Sequence, residues 1–185
     1  MKKLYVILIS TMLLISTQSF GQLYATQSGE TSFFSSTPVE DISAVSKTVG
    51  CILNTSNGEV AVSMQMSSFD FPNNLMQEHF NESYIESDTY PTATFTGKIL
   101  ETINYTKNGS YPVTARGKFT VHGVTMDRDL KGVITVENQR ITLTSNFDVK
   151  VADHKIEVPK LVFAKIAEVI TVKNKYVLAP YVKKQ

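Results

Sequence analysis

The stretch VTARGKFTV, residues 113–121, alternates apolar or small residues with polar ones along its whole length. Val113, Phe119 and Val121 fall on one face with an alanine and a glycine, whereas the other face carries Thr, Arg, Lys and Thr. Because successive side chains of a β-strand point to opposite faces, this alternation predicts a strand with one buried face. A pairing slip of one residue would turn the apolar face to water, so the register is well specified.

The same period of two recurs on both sides of this stretch. Residues 141–149 read ITLTSNFDV, and residues 59–66 read EVAVSMQM. The sequence therefore predicts a meander of about eight antiparallel strands joined by short turns. Weaker strand patterns cover residues 31–35, 92–100, 130–136 and 169–178. Turn signals stand at residues 57–58, 108–109, 122–123 and 138–139.

Two architectures fit about eight strands with few helices: a closed up-and-down barrel or a sandwich of two sheets. Gly97, Gly117 and Gly132 each stand inside a strand pattern, where glycine is typical of the tight bends that close a small barrel. The pattern therefore favours an all-β fold with an eight-stranded antiparallel barrel, and the sandwich stays as the alternative.

Two or three short helices are expected between the strands. Residues 37–40 read TPVE, a capping box with proline at the first helical position, and predict a helical turn that runs to about Lys47. Residues 74–85 have an amphipathic pattern that predicts a second helix. A third is expected at residues 161–167, after a proline.

The N-terminus has the three parts of a secretory signal peptide. Two lysines precede an apolar run at residues 4–15, and Ser-Phe-Gly at residues 19–21 places small residues where a signal peptidase requires them. The run is too short for a membrane-spanning helix, which needs about 20 residues, so an N-terminal anchor helix is the weaker alternative. We expect residues 1–21 to be a cleaved signal peptide and residues 22–185 to form one domain in the periplasm or outside the cell.

Charge and cysteine content narrow the range of partners. The chain has 18 Lys and Arg against 17 Asp and Glu, and removal of Lys2 and Lys3 leaves the mature part close to neutral. This argues against nucleic acid as a partner, because phosphate binding relies on a basic excess. Cys51 is the one cysteine, so no disulfide forms within the chain. Its apolar neighbours favour a buried side chain over a reactive thiol.

The polar residues show no recognisable catalytic pattern. His79, His122 and His154 are scattered without the spacing of metal ligands. The nucleophile motif G-x-S-x-G and a glycine-rich phosphate loop are both absent. Glu78 and His79 are adjacent in a predicted helix and therefore point to different faces. We expect no enzymatic activity, no metal site and no cofactor.

The predicted inward faces mix large side chains with small ones. Ala115, Gly117 and Ser145 stand among phenylalanines, leucine and valines on the same faces. An eight-stranded barrel has an interior that is either just filled by side chains or just wide enough for one small ligand. Both readings stay open on this evidence: an ordinary packed core, or an apolar lumen that holds a ligand.

Two signatures resemble a known family. Residues 76–99 read MQEHFNESYIESDTYPTATFTGKI, a short helix that ends in an acid-Ser-Asp turn and leads through Tyr-Pro into a Phe-containing strand. Residues 113–125 read VTARGKFTVHGVT, a strand that ends in a His-Gly-Val-Thr turn. Together they resemble the YceI-like family. Residues 146–172 are similar to the branch of this family found in Bacteroidetes-type genomes.

The resemblance implies a lipocalin-like, eight-stranded barrel in the periplasm. It further implies that the lumen binds a long-chain apolar or amphiphilic molecule, such as a polyisoprenoid, an isoprenoid quinone or a fatty-acid derivative. Many members of the family carry a His-Ser pair on the first strand, whereas residues 29–34 read GETSFF and contain no histidine. The preference for a ligand head group is therefore not carried over to this chain.

Alternation and resemblance together name the expected ligand-binding residues. The lumen is expected to be lined by Met64, Met66, Phe95, Phe119, Val121, Leu143 and Phe147. Phe69, Phe71 and Phe80 are expected near its mouth. Arg116 and His122 are the candidates for a polar head group.

Two hypotheses of function follow. The first is a periplasmic carrier that holds an amphiphile in the lumen without covalent chemistry. The second is a structural or stress-related interaction protein with a filled barrel, which would expose an aromatic patch at residues 105–111 or 176–181. Transient contact with a membrane or membrane protein, and a homodimer through an edge strand of an incompletely closed barrel, stay open.

Overall fold

A computed structural model describes residues 23–157 and 166–181 of the chain. The predicted signal peptide and most of the third predicted helix lie outside these residues. The described chain is dominated by long strands. They are β1 (Leu23–Ser36), β2 (Asp41–Asn54), β3 (Glu59–Gln65), β4 (Thr92–Ile99), β5 (Gly109–Val121), β6 (Val124–Glu137), β7 (Arg140–Lys150) and β8 (Val169–Tyr181).

The eight strands form a closed antiparallel barrel, which decides between the barrel and the sandwich in favour of the barrel. Each strand pairs with the next along the chain, and β8 closes the ring against β1 through pairs such as Leu23 with Tyr181. Each described strand has a neighbour on both sides, although β2 pairs with β3 only at residues 50–53. A homodimer itself stays a prediction.

The interior is filled from the alternating faces that the sequence predicts. In β5, Val113, Phe119 and Val121 are buried, and the alternate positions face outward. Ile134 of β6 and Leu178 of β8 are fully buried in the same core. The free energy of this burial, about 25 cal/mol per Å² of apolar surface, is the main force that holds the barrel closed.

The connections alternate between the two ends of the barrel, because each strand runs antiparallel to the next. The short turns at residues 55–58 and 138–139 lie at one end. The other end, which we call the mouth end, carries residues 37–40, 66–91 and 122–123 and the segment that follows β7. Its helical elements are α1 (Asn74–His79), a π-helical turn (Phe80–Tyr84) and two 3-10 turns (Met66–Ser68 and Val151–His154).

The helix predicted at residues 74–85 is confirmed as α1 followed by the π-helical turn. Asn73 caps its start, because the side-chain oxygen accepts a hydrogen bond from the N–H of Leu75 at 2.9 Å. None of the helices in the part of the chain that the structure describes is long and apolar enough to cross a membrane.

The helical turn predicted from Thr37 to Lys47 is wrong. Thr37 does close a turn, since its hydroxyl accepts hydrogen bonds from the N–H groups of Val39 and Glu40 at 3.3 and 3.1 Å. The chain then continues as β2 from Asp41, which pairs with Ser36 of β1. The local capping signal is overridden because pairing with β1 buries Ala44 and the other inward residues of β2.

Gly97 and Gly117 lie directly opposite each other where β4 and β5 pair. A Cβ atom on Gly117 would lie 2.5 Å from the Cα of Gly97 and would overlap the carbonyl oxygen of Thr96. Glycine is therefore required here by the close approach of two backbones.

Cys51 is buried in β2, with 1 % of its surface exposed, and burial raises the pKa of its thiol to about 12. The expectation of a buried side chain is confirmed.

We predict that the folded protein does not react with a thiol reagent such as Ellman's reagent near neutral pH, because the reactive thiolate of Cys51 is not formed and its sulfur is not accessible. Reaction should become complete in denaturant. Rapid labelling of the folded protein would contradict this and would restore the reactive-thiol reading.

Candidate ligand cavity

The barrel encloses an inner cavity of about 120 Å³. Phe95, Phe119 and Phe147 contribute aromatic rings to its wall, and Met64 and Met66 contribute flexible thioethers near the mouth end. Among the described residues that line this cavity, none carries a formal charge. Such a wall favours an aliphatic or isoprenoid chain and disfavours a charged group, which would lose its hydration without compensation.

One side of the inner cavity carries a polar cluster made of Thr31, Ser145, Asn174 and Tyr176. The hydroxyl oxygens of Thr31 and Tyr176 lie 2.8 Å from the side-chain oxygen of Asn174 and 2.8 Å from each other. The amide nitrogen of Asn174 donates to the Ser145 hydroxyl at 2.9 Å. Burial raises the pKa of Tyr176, so this residue stays a neutral hydrogen-bonding group. The cluster satisfies its own polar atoms within the wall.

A second, outer cavity of about 340 Å³ lies at the mouth end, against β1, the start of β2 and α1. Its wall is mainly apolar, but its polar composition differs from that of the inner cavity because it includes a carboxylate and an imidazole. The polar residues that line it are Ser35, Glu40, Asn73, His79 and Tyr84. Ser35 already accepts a hydrogen bond from the N–H of Ala167 at 2.9 Å.

The inner and outer cavities adjoin. Both are lined by Phe33, Phe80, Ile85, Ile156 and Ile170, which therefore form the partition between them. Together the two cavities fall within the range of about 300–1,000 Å³ that is typical of pockets for small ligands. One elongated molecule that crosses this partition would place one part in an apolar lumen and another in a more polar vestibule.

Phe33 and Phe80 of this partition pack with two further phenylalanines, Phe69 of the inner cavity wall and Phe71 of the outer cavity wall. Phe33 packs against Phe69, Phe71 and Phe80, with ring centroids 5.2, 5.7 and 5.5 Å apart. Phe80 also contacts Phe71 at 5.0 Å and belongs to the π-helical turn. Short π-helical segments within helices occur often at functional sites. The Phe33 cluster, as we call these four residues, therefore lies where the two cavities meet.

The structure brings most of the sequence-predicted residues together. Phe71 lines the outer cavity, and Phe80 lines both cavities. The other predicted residues at the inner cavity are Met64, Met66, Phe69, Phe95, Phe119, Val121, Leu143 and Phe147. Whether they contact a ligand stays a prediction.

Arg116 lies outside the barrel. Its side chain is 65 % exposed and forms a bidentate ion pair with Asp129, its cross-strand partner on β6, with N···O distances of 2.9 and 2.8 Å. The alternation of β5 places it on the face opposite Phe119, so it does not reach either cavity. Arg116 is therefore not part of either cavity wall, and its contact with a ligand head group stays a prediction.

His122 is buried but lines neither cavity. It stands with Gly123 in the two-residue turn between β5 and β6, and both residues have positive φ, as a type I′ hairpin requires. Its Nδ1 lies 3.0 Å from the carbonyl oxygen of His154, and its Nε2 lies 2.9 Å from a carboxylate oxygen of Glu86. Both nitrogens are thus engaged by the protein, and head-group contact by His122 stays a prediction.

Sequence reasoning missed part of the cavity wall. Phe33 follows Thr31 and precedes Ser35 on the inward face of β1, so the period of two contained this signal. Tyr176 and Ile170 stand on β8, whose alternation is weaker. Ile156 follows a 3-10 turn in a connection, where no periodic pattern indicates burial.

The described residues contain no group of three or more His, Cys, Asp and Glu side chains placed to hold a metal ion. His79 lines the outer cavity, and His154 is fully buried beside Phe119, with ring centroids 5.4 Å apart. Burial lowers the pKa of His154, which favours its neutral form.

Solved structures share this fold at low sequence identity. A polyisoprenoid-binding domain from Saccharophagus degradans, described as implicated in plant cell wall breakdown, superposes with a TM-score of 0.73 at 14% identity over 86% of this chain and 98% of its own. BcnA of Burkholderia cenocepacia gives 0.66 at 17% identity over 82% and 96%. The YCEI protein of Campylobacter jejuni gives 0.57 at 18% identity over 85% and 86%.

No curated protein matches the chain in sequence. The branch within the family that the C-terminal residues resemble stays a prediction. The family-level comparison is direct, because the YceI-like domain matches residues 16–178, nearly all of the barrel and its connections. The fold, the two signatures and this match agree, and the chain belongs to the YceI-like family.

Proposed function

We propose that this protein binds a single amphiphilic lipid, with its apolar chain in the inner cavity and its polar head in the outer cavity. The observation that carries the proposal is the pair of adjoining cavities of different polarity, whose shared wall among the described residues consists of apolar side chains. The chemical class is a polyisoprenoid, an isoprenoid quinone or a fatty-acid derivative. The protein acts as a carrier in the periplasm, without covalent chemistry.

Burial of the chain supplies most of the binding free energy in this proposal. Each methylene moved out of water contributes about 0.8 kcal/mol, so a long tail binds tightly without strong polar contacts. The inner cavity of about 120 Å³ accommodates only part of such a tail while Phe33 and Phe80 hold their positions. The tail therefore displaces rings of the Phe33 cluster and runs through both cavities.

The polar head belongs in the outer cavity. His79 and Tyr84 bring an imidazole and a phenol to its wall, and Glu40 brings a carboxylate. These groups offer both donors and acceptors to a hydroxyl or carbonyl of a ligand. Among the described residues, the inner cavity presents the self-satisfied polar cluster and Thr94, so a head group placed there would lose hydrogen bonds that it makes in water.

Two further points support a carrier that collects its ligand at a membrane. Val39 and Leu75 are 61% and 57% exposed, and both stand at the outer cavity: Leu75 lines it and Val39 precedes Glu40. Exposed apolar side chains beside a binding site are typical of surfaces that touch lipid or another protein. One structural neighbour is described as polyisoprenoid-binding.

The competing interaction-protein hypothesis requires exposed aromatic patches, and the described residues give it little support. Tyr105 and Tyr111 pack against the hydrophobic core, and Tyr176 is buried in the barrel. Tyr181 is exposed as a single ring.

The proposal is tested by native mass spectrometry and organic extraction of the protein purified from its natural source, followed by binding of geranylgeraniol and palmitic acid to delipidated protein. We expect a lipid adduct and saturable binding. Absence of any lipid, together with no binding of either probe, would refute the proposal.

A filled lumen gives a sharper test. Ala115 lines the inner cavity, and Ala115→Phe is expected to lower the affinity for geranylgeraniol at least about tenfold, because the new ring occupies the space that the chain needs. Lys131→Phe is the matched control, since Lys131 is exposed on the outer face of the neighbouring strand β6. Equal affinities of the two variants would place the ligand outside the lumen.

A further inference from the structure

His122 makes two hydrogen bonds whose partners are both acceptors by nature. A backbone carbonyl only accepts, so Nδ1, 3.0 Å from the carbonyl oxygen of His154, must carry a proton. Nε2 lies 2.9 Å from a carboxylate oxygen of Glu86, and this contact also needs a proton between its two atoms. The contact is either an imidazolium with a carboxylate or a neutral imidazole with a protonated carboxyl. In both cases the pair holds one proton more than a neutral histidine beside a free carboxylate.

This pair connects two segments of the mouth end. Glu86 follows Ile85 directly, and its backbone carbonyl accepts hydrogen bonds from the N–H groups of Thr89 and Tyr90, both at 2.8 Å. His154 stands two residues before Ile156. Ile85 and Ile156 each line both cavities and belong to the partition. His122 therefore joins the segment that carries Ile85 to the segment that carries Ile156.

The surroundings hold the imidazole in place. The ring of His122 packs edge-on against Tyr90, with centroids 4.4 Å apart, and a Cβ atom on Gly123 would lie 2.7 Å from the same tyrosine ring. The His122 side chain is 7 % exposed, whereas the Glu86 side chain is 52 % exposed and can leave toward solvent. When the shared proton is lost, the lone pair of Nε2 faces a carboxylate, and the outward movement of Glu86 relieves that repulsion.

Among the described residues, the titratable side chains that contact His122 are Glu86 and Tyr90. Glu86 faces His122 from the segment after the π-helical turn, Tyr90 packs against it from the same segment, and the 3-10 turn after β7 presents the backbone carbonyl of His154. Burial, the largest cause, lowers the pKa of His154, with Arg128 acting in the same direction and Asp153 in the opposite one. A neutral His154 leaves Glu86 as the charge that pairs with His122.

We propose that the proton-sharing contact between His122 and Glu86 acts as a clamp at the mouth end. While the proton is present, the contact holds the two segments together and retains the ligand. As the pH rises and the proton leaves, the contact loosens. His122 is thus a positioning residue. The ligand part of this inference rests on the proposed function, whereas the clamp itself is a property of the unliganded protein. The sign follows from linkage: the clamped form binds the extra proton, so rising pH favours the unclamped form.

Hydrogen exchange of the unliganded protein tests the clamp directly. Protection factors of residues 85–91 and 154–157 are compared between about pH 5.5 and 8.5, where histidine pairs change charge. In the native sequence we expect protection to fall at least about tenfold across this range. In Glu86→Gln it should stay level, because the amide NH₂ donates to the neutral Nε2 while Nδ1–H still binds the carbonyl of His154. Asp88→Asn, a nearby exposed acid, is the matched control and should keep the native profile.

Imidazole ¹⁵N chemical shifts and ligand release complete the experiment. At the low-pH end, a shared proton is expected to show His122 either doubly protonated or as the Nδ1–H tautomer with a hydrogen-bonded Nε2. Release of geranylgeraniol, an uncharged probe, should accelerate with pH in the native sequence and not in Glu86→Gln. Parallel pH profiles of protection in the native sequence and Glu86→Gln would overturn the clamp. If geranylgeraniol and palmitic acid both failed to bind, the proposed function would be refuted but the clamp would not, because hydrogen exchange tests the clamp in the absence of ligand.

Discussion

Gly117→Ala is expected to lower the free energy of unfolding by about 3 kcal/mol, a large effect for the addition of one methyl group. The added Cβ would overlap the carbonyl oxygen of Thr96 and lie 2.5 Å from the Cα of Gly97. These are backbone atoms of a paired strand, so no side-chain rotation relieves the overlap and β4 and β5 must move apart. Equilibrium unfolding in guanidinium chloride, followed by circular dichroism, measures the loss.

Gly50→Ala is the matched control, because Gly50 also lies inside a strand of the same barrel. Its added Cβ would meet first the side-chain oxygen of Gln27, at 3.3 Å, which can rotate away. We expect unchanged stability or a gain of about 0.5 kcal/mol, since alanine restricts the unfolded chain more than glycine. Equal losses in the two variants would show that any strand glycine behaves alike and that the close approach at Gly117 has no special role.

Phe33→Ala is expected to lower the free energy of unfolding by about 3–5 kcal/mol. Phe33 is 9 % exposed and touches Phe69, Phe71 and Phe80, so its removal leaves a hole between the inner and outer cavities. The same hole joins the two cavities into one. Geranylgeraniol binding should therefore persist in the variant, even though the protein unfolds at lower denaturant concentration.

The adjacent residue supplies the control for this variant. Phe34 points outward from β1 and is 44 % exposed. Phe34→Ala should change stability by no more than about 1 kcal/mol, because surface substitutions away from the core have small effects. If Phe33→Ala lost binding while Phe34→Ala bound normally, the ligand would need the Phe33 ring itself. The partition would then be a site that contacts the ligand, and would not be a barrier between the two cavities.

Alternation predicted the barrel wall because the period of a strand is two wherever one face is buried. This rule placed Phe95, Phe119 and Phe147 on inward faces, and all three line the inner cavity. The missed strand β2 shows its limit. In residues 41–49 only some of the inward positions carry apolar side chains. The pairing with β1 also shifts register near Gly29, so no regular alternation marks the strand.

The outer cavity and the His122 clamp were beyond sequence reasoning for another reason. They are assembled from connections, whose course depends on what they pack against. Glu86 and His154 stand 36 and 32 residues from His122 in the chain, and no spacing rule links them. Arg116 shows the reverse case: its outward direction was already contained in the alternation of β5, which puts it on the face opposite Phe119.

The sequence by itself determined the all-β fold, the order of most strands and the short hairpin turns, because these depend on local periodicity and on turn residues. It also indicated the family, through the resemblance of residues 76–99 and 113–125 to its two signatures. The signal peptide and the export that it implies also stand on sequence alone and stay predictions. Only the tertiary structure decided the closure of the barrel, the course of β2, the partition by the Phe33 cluster and the partners of His122. These features depend on contacts between residues far apart in the chain, where burial and hydrogen bonding outweigh local preference.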